Sequence, residues 1–309
     1  MRTTVVSLVD PLGDLVDGRY EDDLGRRRAE RARRRGPAVA LAPGEFRTPH
    51  LTVVPRDGRL LVSYDFPRRA ISDDLVGVIS DELFDPGWVR GSGTFERILT
   101  GVVRSSAADG IDAWELFYRD TLDRFAELEA RSERGLPQPP QGSIDGYARV
   151  YRHAMALTPP GSTLETGCCY AFLSLLLAER GHDAIASDIA EHTVGLLASV
   201  LPRLPGPLRT LRADAARLPL PDRSVDTVHA IHLLEQLDPE HGQRALAEAV
   251  RVARRRVVVA VALVDEADEA AGQLRTVTRR DLRQWGQSTG MPFEVHERAG
   301  DGWLVVDRD

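Results

Sequence analysis

Residues 161–172 read Gly-Ser-Thr-Leu-Glu-Thr-Gly-Cys-Cys-Tyr-Ala-Phe, and the rest of the chain is organised around them. The pattern predicts a short strand that ends in an acid, a sharp turn on Gly167 and the start of an apolar helix. A strand, a glycine turn and a helix N-terminus form a site for a nucleotide-like ligand, because the helix presents free backbone N–H groups to it. The stretch therefore predicts a nucleotide site.

The sequence after this stretch alternates between apolar strand patterns and helical patterns. Further strands are predicted at 184–187, 208–213, 224–231 and 257–263, and an antiparallel pair at 293–297 and 303–306. Strands that alternate with helices at this spacing form a parallel sheet covered on both faces. The predicted fold class is α/β, with a doubly wound, Rossmann-like sheet of seven mostly parallel strands.

The sequence before this stretch predicts a separate module. Residues 131–142 are rich in proline, glycine and glutamine and are typical of a linker. We therefore place an N-terminal α+β module at 1–140, as a substrate-recognition or cap module, and the nucleotide-binding domain at 141–309. Within the module, the apolar runs at 51–54 and 60–64 flank Asp57-Gly58 and predict a hairpin.

Two features of the module have two interpretations each. An aromatic stripe at helical spacing, which includes Trp114 and Tyr118, is interpreted as core packing. The alternative is that Trp88, Phe117 and Tyr118 supply flat faces for a sugar-like or aromatic substrate. The arginine-rich run at 26–35 is either a solvated segment or a polyanion contact.

Composition excludes several classes of protein. The net charge of −7 argues against a dedicated nucleic-acid binder. The longest apolar runs fall far short of the roughly 20 residues of a membrane span, and Asp10 interrupts the N-terminus too early for a secretory signal, so we expect a cytoplasmic protein. The chain has no lysine, which excludes Schiff-base chemistry and a Walker phosphate loop. No Cys/His spacing suggests a metal site.

The type of nucleotide follows from the acid after the second strand and from the glycine turn. Asp188 lies 21 residues after Gly167, where a carboxylate can accept both hydroxyls of a ribose. This fits either a nicotinamide cofactor or S-adenosylmethionine. A pyrophosphate needs further glycines so that backbone amides can approach it, but Cys169 and Ala171 occupy those positions. The loop therefore favours S-adenosylmethionine, which has no phosphate.

Several motifs in order carry a family resemblance. Residues 164–167 (Leu-Glu-Thr-Gly), Asp188, the pair Asp214-Ala215 with residues 218–226, and the helix-start pattern at 233–237 resemble the class I S-adenosylmethionine-dependent methyltransferases. The sequence departs from that pattern at Cys169, which replaces a glycine, and at 254–256, where three arginines replace a glycine pair and are expected only to shorten a loop.

A narrower resemblance extends over the whole chain. The variant loop at 167–173 follows a module that carries Glu-Leu-Phe-Asp-Pro-Gly-Trp at 82–88 and Trp-Glu-Leu-Phe-Tyr at 114–118. Together these motifs are similar to the actinobacterial mycofactocin oligosaccharide methyltransferases. This resemblance implies that a hydroxyl on the glucose chain of a redox cofactor is methylated.

The resemblance to the methyltransferases implies that the cofactor, S-adenosylmethionine, lies at the ends of the first four strands of the domain. Its predicted binding residues are Glu165, Gly167, Cys169, Asp188, Ile189, Asp214, Ala215, His229 and Ala230. Tyr147 and His153 on the preceding helix are expected to close over the methionine end; the alternative is that this helix only packs on the sheet.

The candidate catalytic residues follow the fourth strand, whose carboxyl end faces the reactive end of the cofactor in this fold. We hypothesise that His232 is the general base for a hydroxyl acceptor and that Glu235, one turn later, orients it. The alternative is a histidine that caps or packs the strand end. The expected partner is a small-molecule or oligosaccharide acceptor. The alternatives are an acceptor from another actinobacterial natural product, a non-catalytic binding protein with this fold and a nicotinamide oxidoreductase.

Overall fold

The computed structural model describes residues 2–7, 39–42, 45–56, 59–66, 71–89, 92–136, 143–264 and 274–308. The chain divides into two compact units, Met1–Asp145 and Gly146–Asp309. The arginine-rich run at 26–35, the Asp57-Gly58 turn and the linker segment 137–142 lie outside the described residues. None of the described helices is long and apolar enough to cross a membrane.

The first unit contains a five-stranded antiparallel sheet with the order β1-β5-β4-β3-β2. Its strands are β1 (Arg2–Ser7), β2 (Val39–Ala42), β3 (Glu45–Arg47), β4 (Leu51–Arg56) and β5 (Arg59–Tyr64). The predicted hairpin is confirmed, because β4 and β5 pair in the register that joins Arg56 to Arg59. The pairing of β1 with β5 was not predicted.

Three helices and a π-helical turn complete the first unit: α1 (Asp74–Ile79), the turn Ser80–Phe84, α2 (Ser92–Arg104) and α3 (Gly110–Glu133). The aromatic stripe lies on α3, where Phe117 and Tyr118 are almost completely buried. Trp88 stacks on Phe46 with 5.2 Å between the ring centroids. These rings therefore pack within the unit, which favours the core interpretation of the stripe.

The second unit contains the predicted seven-stranded, mostly parallel sheet, with the order β11-β12-β10-β9-β6-β7-β8. Its strands are β6 (Ser162–Thr166), β7 (Asp183–Asp188), β8 (Leu208–Arg212), β9 (Val225–Ile231), β10 (Ala253–Ala262), β11 (Phe293–Arg298) and β12 (Asp301–Asp307). The five strands β6–β10 run parallel, and β11 and β12 form the antiparallel pair. The predicted fold class is confirmed.

Helices cover both faces of this sheet. They are α4 (Ser143–Ala156), α5 (Phe172–Glu179), α6 (Glu191–Val200), α7 (Pro239–Val252) and α8 (Arg279–Ser288). Alternate residues of β10 belong to different apolar clusters: Val257 and Val259 pack in the cluster that contains α7 and α8, whereas Val258 packs in the one that contains α4 and α5. The continuous apolar run of β10 thus results from burial on both faces.

The arginine run at 254–256 was expected only to shorten the loop before β10, and in the structure these arginines also form ion pairs. The structure shows no loop here, because α7 ends at Val252 and β10 begins at Ala253. Arg254 pairs with Asp226 at 2.8 Å, and Arg256 with Asp307 at 2.7 Å. The arginines therefore tie β10 to β9 and β12 at the amino edge of the parallel strands.

His229 lies in the core of the sheet. Its side chain is completely buried, and its Nε2 is 2.8 Å from the hydroxyl of Thr158. Burial, helped by the nearby His182, lowers the pKa of His229 to about 3, so the imidazole is neutral in the folded protein. The side chain of His229 thus packs in the core, and the predicted contribution of this residue to cofactor binding stays a prediction.

We expect the neutral state of His229 to make the second unit sensitive to acid. The unfolded chain binds a proton on this histidine below its ordinary pKa, and the folded chain does not, so the stability that His229 contributes falls as the pH drops below about 6.5. Between pH 7.5 and pH 5, wild type should lose about 2 kcal/mol more of unfolding free energy than His229→Gln. Urea unfolding of both proteins at the two pH values measures this difference. Equal losses would contradict it.

Candidate active site

The turn between β6 and α5 contains three residues in the left-handed region of backbone conformation. They are Gly167 (φ 68°), Cys169 (φ 48°) and Ala171 (φ 58°). A side chain at Gly167 would also meet Leu233, since a Cβ there would lie 2.7 Å from its Cδ1. Gly167 therefore allows the turn to pack against the segment that follows β9.

Asp188 ends β7 next to this turn. Its Oδ2 accepts a hydrogen bond from the backbone N–H of Cys169 at 3.1 Å, and its Oδ1 accepts one from Ala190 N–H at 2.9 Å. Each carboxylate oxygen keeps a second acceptor position, which fits the two hydroxyls of a ribose. Ile189, the next residue, leaves 64% of its surface exposed and offers an apolar face beside the carboxylate.

Glu165 lies beneath the turn. Its Oε2 accepts hydrogen bonds from the backbone N–H and the hydroxyl of Ser174, at 3.0 and 2.6 Å. Burial raises the pKa of this carboxyl to about 7, against the opposing effect of the Ser174 hydrogen bonds. In the structure, Glu165 thus joins the end of β6 to the first turn of α5 and supports the turn from below.

Asp214 follows β8 and forms a hydrogen bond that the sequence did not indicate. Its Oδ1 accepts from Ala216 N–H and faces Nε2 of His241, both at 2.8 Å. The guanidinium of Arg244 lies 3.2 Å from Nδ1 of His241. Because arginine can only donate, Nδ1 is the acceptor and Nε2 carries the proton that is donated to Asp214. This leaves Oδ2 of Asp214, beside Ala215, for a ligand.

The two predicted residues on α4 lie in different places. The ring of Tyr147 meets that of His232 edge-on, with 6.0 Å between their centroids. His153 instead contacts His296 on β11, with 2.7 Å between the two Nε2 atoms, and Trp303 on β12. Since β11 and β12 lie at the opposite end of the sheet from β7 and β8, the structure does not bring His153 to the glycine turn.

His153 is held neutral by these surroundings. Burial, the charge of Arg298 and the neighbouring His296 lower its pKa to about 4. Its position fits the alternative interpretation, in which this part of α4 packs on the sheet. That His153 closes over the methionine end of the cofactor stays a prediction.

His232 lies directly after β9, with a left-handed backbone (φ 53°). Its Nδ1 is 3.0 Å from Oε1 of Glu235, which also accepts a hydrogen bond from Ala262 N–H at 3.1 Å. Burial by itself would lower the pKa of His232, but the Glu235 hydrogen bond and the charges of Asp301 and Glu235 outweigh it and raise the pKa above its usual value. The structure thus brings together the two predicted catalytic side chains.

Asp301 is a site residue that the sequence analysis missed. It opens β12 and places Oδ1 3.7 Å from Nε2 of His232, on the side opposite Glu235. The sequence predicted this strand to begin at residue 303, two residues too late. Asp301 was therefore not recognised as part of the strand end that lies next to β10.

The side chains at the carboxyl edge of the sheet fit an adenosyl ligand with a polar tail. Asp188 and Asp214 offer free acceptor positions, and Ile189 offers an apolar surface. Oε2 of Glu235 is buried and has no hydrogen-bond partner among the described residues. Ala230 is buried within β9, where its contribution is backbone and packing. An adenosyl ligand of this kind has no phosphate and needs no glycine-rich loop to bind one, which agrees with the single glycine of the turn.

The sequence of the second unit matches a known family. Residues 164–261 match the family model described as a methyltransferase domain. The chain carries an S-adenosylmethionine-dependent methyltransferase domain. S-adenosylmethionine is its methyl-donating cofactor. The broader of the two resemblances seen in the sequence is thereby confirmed.

Solved structures similar to this chain include a SAM-dependent methyltransferase from Methanosarcina mazei, with 17% identity, a TM-score of 0.43, and 50% of this chain and 96% of that chain covered. Magnesium protoporphyrin IX methyltransferase from Synechocystis with bound SAH has 17% identity, a TM-score of 0.44, and coverages of 60% and 94%. The same enzyme with bound SAM has 20% identity, a TM-score of 0.42, and coverages of 62% and 97%. A comparison with curated proteins found no match.

We expect Cys169→Gly to bind S-adenosylhomocysteine, the demethylated product, at least as tightly as wild type. The left-handed backbone costs a non-glycine residue about 1–2 kcal/mol, which a glycine avoids. Gly167→Ala should have the opposite effect, because its φ is 68° and the new Cβ would clash with Leu233. Calorimetric titration and thermal unfolding measure both effects, and Gly195→Ala, in open space on α6, is the matched control. A large loss of affinity in Cys169→Gly would mean that the thiol itself contributes to binding.

We expect Asp188→Asn to weaken S-adenosylhomocysteine binding by about tenfold or more, because hydrogen bonds to a charged acceptor are worth about 1.5–3 kcal/mol and those to a neutral one less. Asp183→Asn is the control. It lies at the other end of β7, where Asp183 forms an exposed pair with Arg209. Calorimetry should show a weaker affinity only for Asp188→Asn. If Asp188→Asn and wild type bind with equal affinity, Asp188 does not bind the ligand.

Proposed function

We propose that the enzyme is an O-methyltransferase that acts on a hydroxyl group of a small glycosylated molecule, and that its acceptor is a glucose residue of the mycofactocin oligosaccharide. The observation that carries the reaction type is the His232–Glu235 pair at the carboxyl end of β9, with 3.0 Å between Nδ1 and Oε1. The motifs at 82–88 and 114–118, with the variant turn, support the acceptor class.

S-adenosylmethionine, when bound, supplies a methyl group whose bond to sulfur breaks, with the electron pair left on sulfur, as the acceptor oxygen bonds to the methyl carbon. A sugar hydroxyl is a weak nucleophile and must lose its proton in this reaction. A positioned base typically accelerates such a step by about 10²–10⁴-fold. The chain therefore needs a proton acceptor where the hydroxyl binds, and we assign this role to His232.

Glu235 determines which nitrogen of His232 accepts the proton. An ionised carboxylate can only accept hydrogen bonds, so Nδ1 of His232 carries a proton directed at Oε1. The neutral imidazole then has its lone pair on Nε2, which is available to the acceptor hydroxyl. The backbone N–H of Ala262 fixes the carboxylate from the strand β10. Glu235 thus orients the imidazole.

For the cofactor, we propose that Asp188 accepts the ribose hydroxyls and that Asp214, held by His241, accepts from the adenine. Gly167 and Cys169 form the turn beside them, and Tyr147 covers the side near His232. The matched domain spans 164–261 and leaves the N-terminal unit outside it. We therefore propose that residues 1–140 determine the acceptor.

We expect His232→Ala to lower turnover by about 10²–10⁴-fold while leaving S-adenosylhomocysteine affinity within about twofold of wild type. The assay follows methyl transfer to glucosylated acceptors, and His192→Ala, an exposed histidine on α6, is the control. Turnover that survives in His232→Ala would exclude this base.

The acceptor is tested separately. Methylated metabolites of a deletion strain are compared with those of its parent by mass spectrometry. We expect the mycofactocin oligosaccharide of the deletion strain to lack one methyl group. An unchanged oligosaccharide, with another metabolite that loses its methyl group, would exclude the proposed acceptor.

A further inference from the structure

Asp301 is buried at the carboxyl edge of the sheet. It pairs with Ala262, the last residue of β10, because β12 runs antiparallel to β10 and begins where β10 ends. The turn before it uses Ala299 and Gly300, both left-handed, with φ of 60° and 91°. Only 7% of Asp301 is exposed. The fold thus places a carboxyl group in a position where its desolvation is unfavourable.

Both nitrogens of His232 face a carboxyl group. Glu235 lies 3.0 Å from Nδ1, and Asp301 lies 3.7 Å from Nε2. The contact with Glu235 is a hydrogen bond, whereas the distance to Asp301 exceeds the range of a hydrogen bond. Asp301 therefore acts on Nε2 by its charge and leaves this nitrogen available to another group.

The charged and titratable groups around this imidazole come from three elements. Glu235 lies on the 3-10 turn after β9, Asp301 on β12 and Tyr147 on α4. Arg149, also on α4, acts on Asp301. Burial raises the pKa of Asp301 to about 6, with a smaller contribution from Glu235, against the lowering effects of His232 and Arg149. At neutral pH Asp301 is therefore mostly ionised.

We propose that Asp301 is a positioning residue for methyl transfer, whose carboxylate stabilises the imidazolium that forms when His232 Nε2 takes the proton of the acceptor hydroxyl. This inference rests on the proposed role of His232. Before the transfer, two carboxylates flank a neutral imidazole and repel each other. Afterwards the imidazolium lies between them, and both interactions become attractive. The proton stays on Nε2, between the ring and Asp301, until it is released.

The first experiment needs no acceptor. The C–H signals of His232 are followed by NMR against pH in the full-length protein, with ¹³C-labelled histidine and His232→Gln for assignment. We expect the pKa of His232 in Asp301→Asn to fall by about one unit, a tenfold loss of proton affinity, because an opposite charge at this distance raises a pKa by about 1–3 units. Asp307→Asn, at the other end of β12 and paired with Arg256, is the control and should leave the pKa unchanged.

Two results would overturn the inference. One is an unchanged His232 pKa in an Asp301→Asn protein that still binds S-adenosylhomocysteine as wild type does. The other is a wild-type His232 pKa below about 6.5, its usual value, which is decisive even if the variant does not fold.

The second experiment uses an acceptor and separates positioning from a structural role. The rate rises with pH as His232 loses its proton. A lower His232 pKa should therefore shift the rising part of the plot of kcat against pH to lower pH in Asp301→Asn. The maximal kcat at high pH should fall, and the affinity for S-adenosylhomocysteine should stay the same. Asp301→Glu, which keeps the charge, should restore part of the maximal kcat. A lower maximal kcat without a shift of the rising part of the pH profile would contradict the inference.

The two proposals fail in different ways. Full activity of His232→Ala would exclude the proposed base and leave the NMR titration of Asp301→Asn unaffected. A titration without a shift would exclude the role of Asp301 and leave the loss of activity in His232→Ala unaffected.

Discussion

The site depends on the parallel pairing of β6 with β7 on one side and with β9 on the other. Parallel neighbours end at the same edge of the sheet, so the residues that follow them meet there although they are far apart in sequence. Gly167, Asp188 and His232 all lie directly at or after these strand ends. The close approach of Gly167 to Leu233 fixes how tightly the turn after β6 packs on the segment after β9.

Several buried polar groups in this unit have specific partners, and the partner determines what each of these groups can do. Glu165 is bound by Ser174 and supports the turn, while His229 is bound by Thr158 and is held neutral in the core. His232 differs because carboxyl groups face both of its nitrogens. The same desolvation that makes His229 inert is outweighed at His232 by two negative charges. Two histidines three residues apart thus have opposite protonation tendencies.

The alternation of strands and helices after residue 161 was sufficient to predict the sheet, because strands buried on both faces are continuously apolar and their boundaries carry glycine or acids. The boundary of β10 was less accurate, since arginines that pair across the sheet edge resemble a polar loop. The strand β1 was missed because six residues that pair only with a distant partner, β5, leave little periodic signal. The predicted roles of Asp188, Asp214, His232 and Glu235 remain predictions, and the structure places all four at the carboxyl edge of the sheet.

The sequence by itself determined the fold class and the class of cofactor. These depend on local patterns: the apolar periods of the strands, the single glycine of the turn and the acid at the end of β7. Only the tertiary structure decided which side chains share a site. It placed His153 at the β11–β12 end of the sheet, buried His229, and brought His241 to Asp214 and Asp301 to His232. The physical reason is that a histidine or an acid has the same local propensity in every environment, whereas its neighbours and its desolvation are set by strand order and burial.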